Sequence, residues 1–138
     1  MIFEHFHYNR KPTYHVFEMY KVHQDAIHLP LSIEADKKEI RGRQIDMVNI
    51  SASKKNDIIS LTMANIDLEK ERNLEIDLSD TKINQVSGRI LTSKKITDHN
   101  TFEKPNVVKP VDFKGAKITK GKLNVKLPAA SIVVLEIK

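Results

Sequence analysis

The sequence predicts an all-β protein, an antiparallel β-sandwich preceded by one N-terminal α-helix. Three observations carry this. From about Ile27 onward the apolar residues recur with a period of two. No helical stretch interrupts that pattern, which argues against parallel βαβ units. Before it, six of the eight aromatic residues crowd into the first twenty positions: Phe3, Phe6, Tyr8, Tyr14, Phe17 and Tyr20. The chain therefore divides into an aromatic-rich helical segment, 1–26, and a sandwich domain, 27–138.

The helix is predicted over Pro12–Gln24. Pro12 and Thr13 suit a helix start, no Gly or Pro follows within the stretch, and Val16, Phe17 and Tyr20 can share one face. A helix this short needs a surface to pack against. Val48, Ile50 and Ala52 then alternate with Asn49, Ser51 and Ser53. Beyond the turn-like Lys54-Lys55-Asn56-Asp57, the residues Ile59, Leu61 and Met63 line one side of a second strand. Leu74, Ile76 and Leu78 alternate with Glu75 and Asp77 as a half-buried strand, and Val86, Gly88 and Ile90 follow with Arg89 outward. Lys120-Gly121 joins Ala116–Thr119 to Leu123–Leu127 as a hairpin. The β-branched, nearly continuous run Ser131–Ile137 belongs in a sheet interior.

Composition narrows function. A chain of 138 residues buries roughly two-thirds of its unfolded surface, enough for a real core, but is far short of the roughly 250 residues of a (β/α)₈ barrel. No apolar run approaches the roughly 18 residues of a membrane span. The opening Met1–His7 has neither a basic start nor an apolar stretch, so no secretory signal is expected and a cytoplasmic location is the default. Zero cysteines exclude disulfides, thiol catalysis and thiolate metal sites. The net charge of +5 is carried late in the chain by Lys104, Lys109, Lys114, Lys117, Lys120, Lys122 and Lys126. Neither Arg nor an aromatic series accompanies them, so they read as solvating strands and guarding sheet edges, not as a nucleic-acid surface.

The search for chemistry yields no catalytic, cofactor-binding or metal residue. His5 and His7 are two apart, but a third ligand from His15, His23, His28 or His99, with oxygen from Glu4 or Glu18, would follow no recognised spacing. No Gly-x-Ser-x-Gly elbow occurs, and four glycines build no phosphate cradle. The pairs Glu34/Asp36 and Glu75/Asp77 would share a strand face, but a polar one that cannot raise a carboxyl pKa for acid catalysis. After residue 26 there is no Trp, no Tyr and only Phe102 and Phe113, so the stacking platforms of a carbohydrate-binding module are missing.

Three stretches together resemble one family. Pro12–Ala26 resembles the segment that closes the catalytic domain of α-L-arabinofuranosidases of glycoside hydrolase family fifty-one. Gly88-Arg89-Ile90-Leu91-Thr92, followed by Asp98-His99-Asn100-Thr101-Phe102-Glu103-Lys104-Pro105, resembles that family's C-terminal domain, as does Leu127-Pro128-Ala129-Ala130-Ser131 leading to Glu136. The resemblance implies a jelly-roll-like β-sandwich behind the last helix of a (β/α)₈ barrel. It implies parent enzymes that hydrolyse terminal α-L-arabinofuranosyl groups with retention, through two barrel glutamates about 5 Å apart. No glutamate of this chain matches either motif, so the chain is expected to be non-catalytic and inert alone, with a structural or assembly role. A free-standing carbohydrate-binding module for arabinose-containing polysaccharide is the alternative. Family sandwiches also borrow a strand from before the barrel. Without barrel and strand, the helix would present an unpartnered apolar face and the sandwich an open edge. Homo-oligomers through one or the other are the expected partners, with residues 1–24 either packed across a subunit contact or poorly ordered.

Overall fold

The computed structural model describes residues 10–34, 36–78 and 81–138. Helix α1 (Pro12–Tyr20) runs into a 3-10 turn at Lys21–His23. Among the described residues eleven strands follow: β1 (Ile27–Leu29), β2 (Lys37–Ile40), β3 (Arg43–Asp46), β4 (Val48–Lys55), β5 (Ile58–Asn65), β6 (Arg72–Ile76), β7 (Val86–Thr92), β8 (Val111–Asp112), β9 (Ala116–Thr119), β10 (Lys122–Leu127) and β11 (Ser131–Ile137). They form a six-stranded sheet in the order β1-β4-β5-β11-β7-β8, a three-stranded sheet β6-β10-β9, and a separate ribbon β2-β3. Every pairing is antiparallel. The all-β sandwich with one helix is thus the observed architecture, and the expected strands after Val48 all form. Leu78 lies just past the end of β6 but still packs on the core.

The two larger sheets enclose the core. From the six-stranded sheet come Ile59, Leu61 and Met63 of β5 and Val133, Leu135 and Ile137 of β11; from the smaller sheet come Leu123, Val125 and Leu127 of β10. Within each triplet the residues are two apart, so the pleat alone sends them to one face. The β5–β11 register sets Leu61 opposite Leu135 and Met63 opposite Val133. Gly88 sits where β7 crosses β11, and any Cβ there would collide with the Val134 carbonyl and the Leu135 side chain. At the β9–β10 turn Lys120 and Gly121 both have positive φ, 52° and 76°, the conformation a two-residue hairpin demands.

The helix departs from expectation in two ways. Its buried stripe is Val16, Met19 and Tyr20, spaced i, i+3, i+4, whereas Phe17 is 74% exposed. A nine-residue helix presents a narrow stripe, and Phe17 lies to one side of the line that Met19 centres. Nor is the helix without a partner: Met19, fully buried, packs on Leu91, Val108 and Val134 of its own chain, with Ile132 beside them. The outer face of the six-stranded sheet carries apolar residues at these positions, and α1 packs on them within its own chain. Residues 10–24 are thus seated on the sandwich of their own chain, while residues 1–9 lie outside the described residues. Among the described residues no helix is long and apolar enough to cross a membrane.

Candidate functional site

An open groove of about 760 Å³ runs along α1 on the outer face of the six-stranded sheet. Its rim is apolar: Phe17 from the helix, Ile66 and Leu68 from the loop after β5, and Ile96 from the loop after β7. These side chains are 74, 49, 60 and 81% exposed, and all four line the same groove. Among the described residues Asp98 is the sole carboxylate lining the groove, and it accepts a hydrogen bond from Ser93 Oγ.

Two buried polar knots hold the groove's walls. In the first, Asn100 is 5% exposed; its Nδ2 donates to the carbonyls of Arg10 (2.6 Å) and Val108 (2.8 Å), and its Oδ1 accepts from Val108 N–H (2.7 Å). One side chain thereby ties the loop after β7 to the chain entering α1. Next to it, Thr101 N–H donates to the Lys104 carbonyl and Thr101 Oγ1 accepts from Lys104 N–H, each at 3.0 Å, closing the turn that presents Phe102. The Asp98–Pro105 stretch is therefore a loop-building motif. The second knot centres on Asp67, 3% exposed. Its Oδ1 accepts from Glu69 N–H (3.0 Å) and Lys70 N–H (3.2 Å), and its Oδ2 from Arg72 Nη2 (2.9 Å). The Glu69 amide bond, then the other donors and the nearby cations, hold its carboxyl below the usual range. Asn65 Nδ2 reaches the carbonyls of Lys70 (2.9 Å) and Pro128 (3.0 Å), and Ser131 Oγ donates to Pro128 (2.7 Å). The Pro128–Ser131 ending is pinned in this way. Asp67 escaped the sequence reading, although an Asp followed by turn residues is the signature of a side chain accepting from amides two and three positions on.

Among the described residues the histidines do not converge. His5, His7 and Glu4 lie outside the described residues. His15 stacks edge-to-face on Tyr14, and His99 Nδ1 contacts the Thr97 carbonyl at 3.0 Å. His28 sits on β1. His23 lies between the hydroxyls of Ser53 (Nδ1, 2.6 Å) and Thr62 (Nε2, 2.8 Å) on the sheet's outer face. Burial, followed by the nearby His28, lowers its pKa from the ordinary value. Glu18 forms a two-pronged ion pair with Arg89, both contacts at 3.1 Å. Among the described residues no group of three or more His, Cys, Asp or Glu could hold a metal ion. The carboxylate pairs are also not paired on strands as expected. Glu34 and Asp36 precede β2, and Asp77 follows the end of β6, while Glu75 bonds Lys122 at 2.7 Å.

The chain is thus an antiparallel sandwich with a helix on its larger sheet, held by two polar knots, the architecture of a domain rather than of a barrel. Solved structures agree. A family 51 arabinofuranosidase from Xanthomonas axonopodis pv. citri superimposes with a TM-score of 0.87 at 37% identity, over 93% of this chain and 26% of that one. An α-L-arabinofuranosidase from Thermotoga maritima gives 0.76 over 91% of this chain and 28% of that one; at 18% identity the likeness is one of fold. In sequence, an intracellular exo-α-L-arabinofuranosidase of Bacteroides ovatus is 50% identical over 129 residues, 92% of this chain. The α-L-arabinofuranosidase C-terminal domain family matches residues 1–131, and the chain belongs to that family. It spans about a quarter of the length of the relatives it matches.

Proposed function

We propose that this chain is the structural C-terminal domain of an arabinofuranosidase that, as a whole, hydrolyses terminal non-reducing α-L-arabinofuranosyl residues with retention in the cytoplasm. The observation that carries this reading is the groove beside α1. Retaining hydrolysis needs two carboxyl groups about 5 Å apart across the glycosidic bond. Among the described residues the groove offers one, Asp98, already engaged by Ser93. Its exposed Phe17, Ile66, Leu68 and Ile96 instead suit burial under another protein domain. About three-quarters of each relative's length lies outside the matched region, which supplies the candidate cover. In this role the domain closes over the catalytic portion and supports assembly, with copies associating through the helix face or an open sheet edge. The purified chain is expected to leave an aryl α-L-arabinofuranoside unhydrolysed, and turnover above a buffer blank would overturn the reading.

One observation favours a second reading, a carbohydrate-binding module. The Phe17 ring is exposed at the groove, beside Thr13, Thr92 and Ser93. It is one ring where sugar platforms usually stack several. Calorimetric titration with arabino-oligosaccharides separates the two: no heat is expected, and heat abolished by Phe17→Ala would favour sugar binding.

A further inference from the structure

His23 closes the 3-10 turn that follows α1, and its ring is held at both nitrogens. Nδ1 lies 2.6 Å from Ser53 Oγ on β4, and Nε2 lies 2.8 Å from Thr62 Oγ1 on β5. A neutral imidazole has one N–H and one bare nitrogen. In either tautomer, one hydroxyl accepts from the ring and the other donates to it. Both residues are buried, Ser53 at 3% and Thr62 at 1% exposure. The seat therefore fits the uncharged ring. An imidazolium donates from both nitrogens, and the hydroxyl that had donated to the ring loses its acceptor in a buried setting. The charges around the ring do not offset that loss. From β1 comes His28, a second basic ring, and from β4 come Lys54 and Lys55, the latter donating to the Gln24 carbonyl at 3.3 Å. Lys21 lies in the turn itself, and Tyr20 of α1 meets the His23 ring edge to face at 6.2 Å. The acids are engaged or turned elsewhere. Glu18 of α1 is forked onto Arg89, Asp25 lines a concavity with Lys54, Lys55 and Asp57, and Glu136 of β11 lines another with Val22, Arg89 and Asp112.

We propose that His23 is a pH-operated latch on α1: it seats the C-terminal end of the helix on the sheet while its ring is neutral, and lets that end go once the ring is protonated. The latch goes beyond the domain's role in assembly and works whatever covers the groove. Met19 and the Glu18–Arg89 pair still hold the helix in acid, so protonation frees the turn and not the whole outer layer. α1 supplies Pro12, Thr13, Val16 and Phe17 to the groove, so a released C-terminal end makes that wall pliable. A released ring titrates near 6.5, whereas burial, and then His28, lower the seated one. The turn is therefore fully seated above about pH 6.5. Release grows as pH falls from there to the seated value, and then levels off.

Amide hydrogen exchange of the purified chain at about pH 7.5 and pH 5.5 tests this, each rate divided by the intrinsic rate at that pH. The reporters are the Lys21 amide, which donates to the Glu18 carbonyl, and the Gln24 amide, which donates to the Lys21 carbonyl at 3.0 Å. Their opening is expected to be about threefold or more greater at pH 5.5, with β11 far better protected at both values, as local release requires. His23→Gln keeps one donor and one acceptor for the two hydroxyls and carries no titrating group, so its opening is expected to be alike at the two pH values. His15→Gln, on the same helix, keeps the native response. The ring itself gives a second readout that needs no variant to seat correctly. Its Cε1–H resonance, identified by its loss in His23→Gln, is expected to titrate below about 6.5 in the native chain. Opening indifferent to pH, a response that survives His23→Gln or vanishes in His15→Gln, or a ring that titrates at or above about 6.5 would each overturn the latch.

Discussion

The six-stranded sheet is covered on its two faces by different means. On the inner face the smaller sheet lays Leu123, Val125 and Leu127 against Leu61, Met63 and Leu135, every one of them 0–2% exposed. That seam is dry and continuous, and each strand enters it through its pleat. On the outer face a nine-residue helix covers the sheet through one fully buried side chain, Met19, flanked by half-buried neighbours. The rest of that contact is polar, namely His23 between two hydroxyls and Glu18 forked onto Arg89. The inner contact derives its strength from area. The outer one is fixed in register by directional bonds, which add little energy where they are partly exposed but permit few alternative seatings. One sheet thus supports a layer that holds the fold together and a layer that mainly holds a position.

Cavities sharpen this contrast most. Leu135→Ala empties space between the two sheets, where β5, β7 and β11 cannot collapse without breaking their ladders, so a loss of about 3–4 kcal/mol in urea unfolding is expected. Met19→Ala removes the corresponding anchor of the outer layer, but a short helix open to solvent on one side can settle into the gap. About 2 kcal/mol is expected there, with the near-native sandwich retained. Equal losses would mean that the helix is as integral to the core as β11.

The sequence displayed the inner layer and concealed the outer one, for physical reasons. Ile59, Leu61 and Met63 alternate with Ser60 and Thr62, and that period is itself the geometry of a strand with one face in the core. The ribbon β2–β3 has no buried face, so Lys37–Ile40 and Arg43–Asp46 carry no alternation, and only the Arg41-Gly42 turn marks them. The helix's partner left a trace that points beyond a plain sheet interior. The run Ser131–Ile137 is apolar on both faces, and its outward Ile132 and Val134 require a cover on the outside as well. The groove is harder still, because Ile66, Leu68 and Ile96 come from two loops that meet only in the folded chain. Asn100 and Asp67 look like ordinary loop residues until their backbone partners are seen.

The polar part of the outer layer titrates. His23 has its folded-state pKa lowered, chiefly by burial, from the unfolded value near 6.5. Between those two values the unfolded chain binds more protons than the folded one. Stability is therefore complete above about pH 6.5 and declines as pH falls through the folded value, then levels off. His15, lowered by burial and then by Arg10, shifts in the same direction. Urea midpoints at about pH 7.5 and pH 5.5 are expected to fall with acidification in the native sequence, and to fall less in His23→Gln. Unchanged acid sensitivity in His23→Gln would assign the titration to His15 and leave the hydroxyl pair without a share in it.

The smallest effect is expected at the most conspicuous side chain. Phe17 projects from the same helix as Met19, two residues away, but 74% of it meets water. Phe17→Ser in this chain removes almost no buried area, so the urea midpoint is expected to move by the equivalent of 0.5 kcal/mol or less, about the scale of an ordinary surface change. In a longer protein that joins this domain to a second one over the groove, a ring placed under that domain would be a central anchor of the contact. There the same substitution is expected to cost about 2 kcal/mol and lower the melting temperature. The difference between the two backgrounds isolates what covers the groove from what folds the domain. A cost of 2 kcal/mol already present in the isolated chain would place Phe17 among the residues that hold α1 to its sheet, and the boundary between the two layers would have to be redrawn around it.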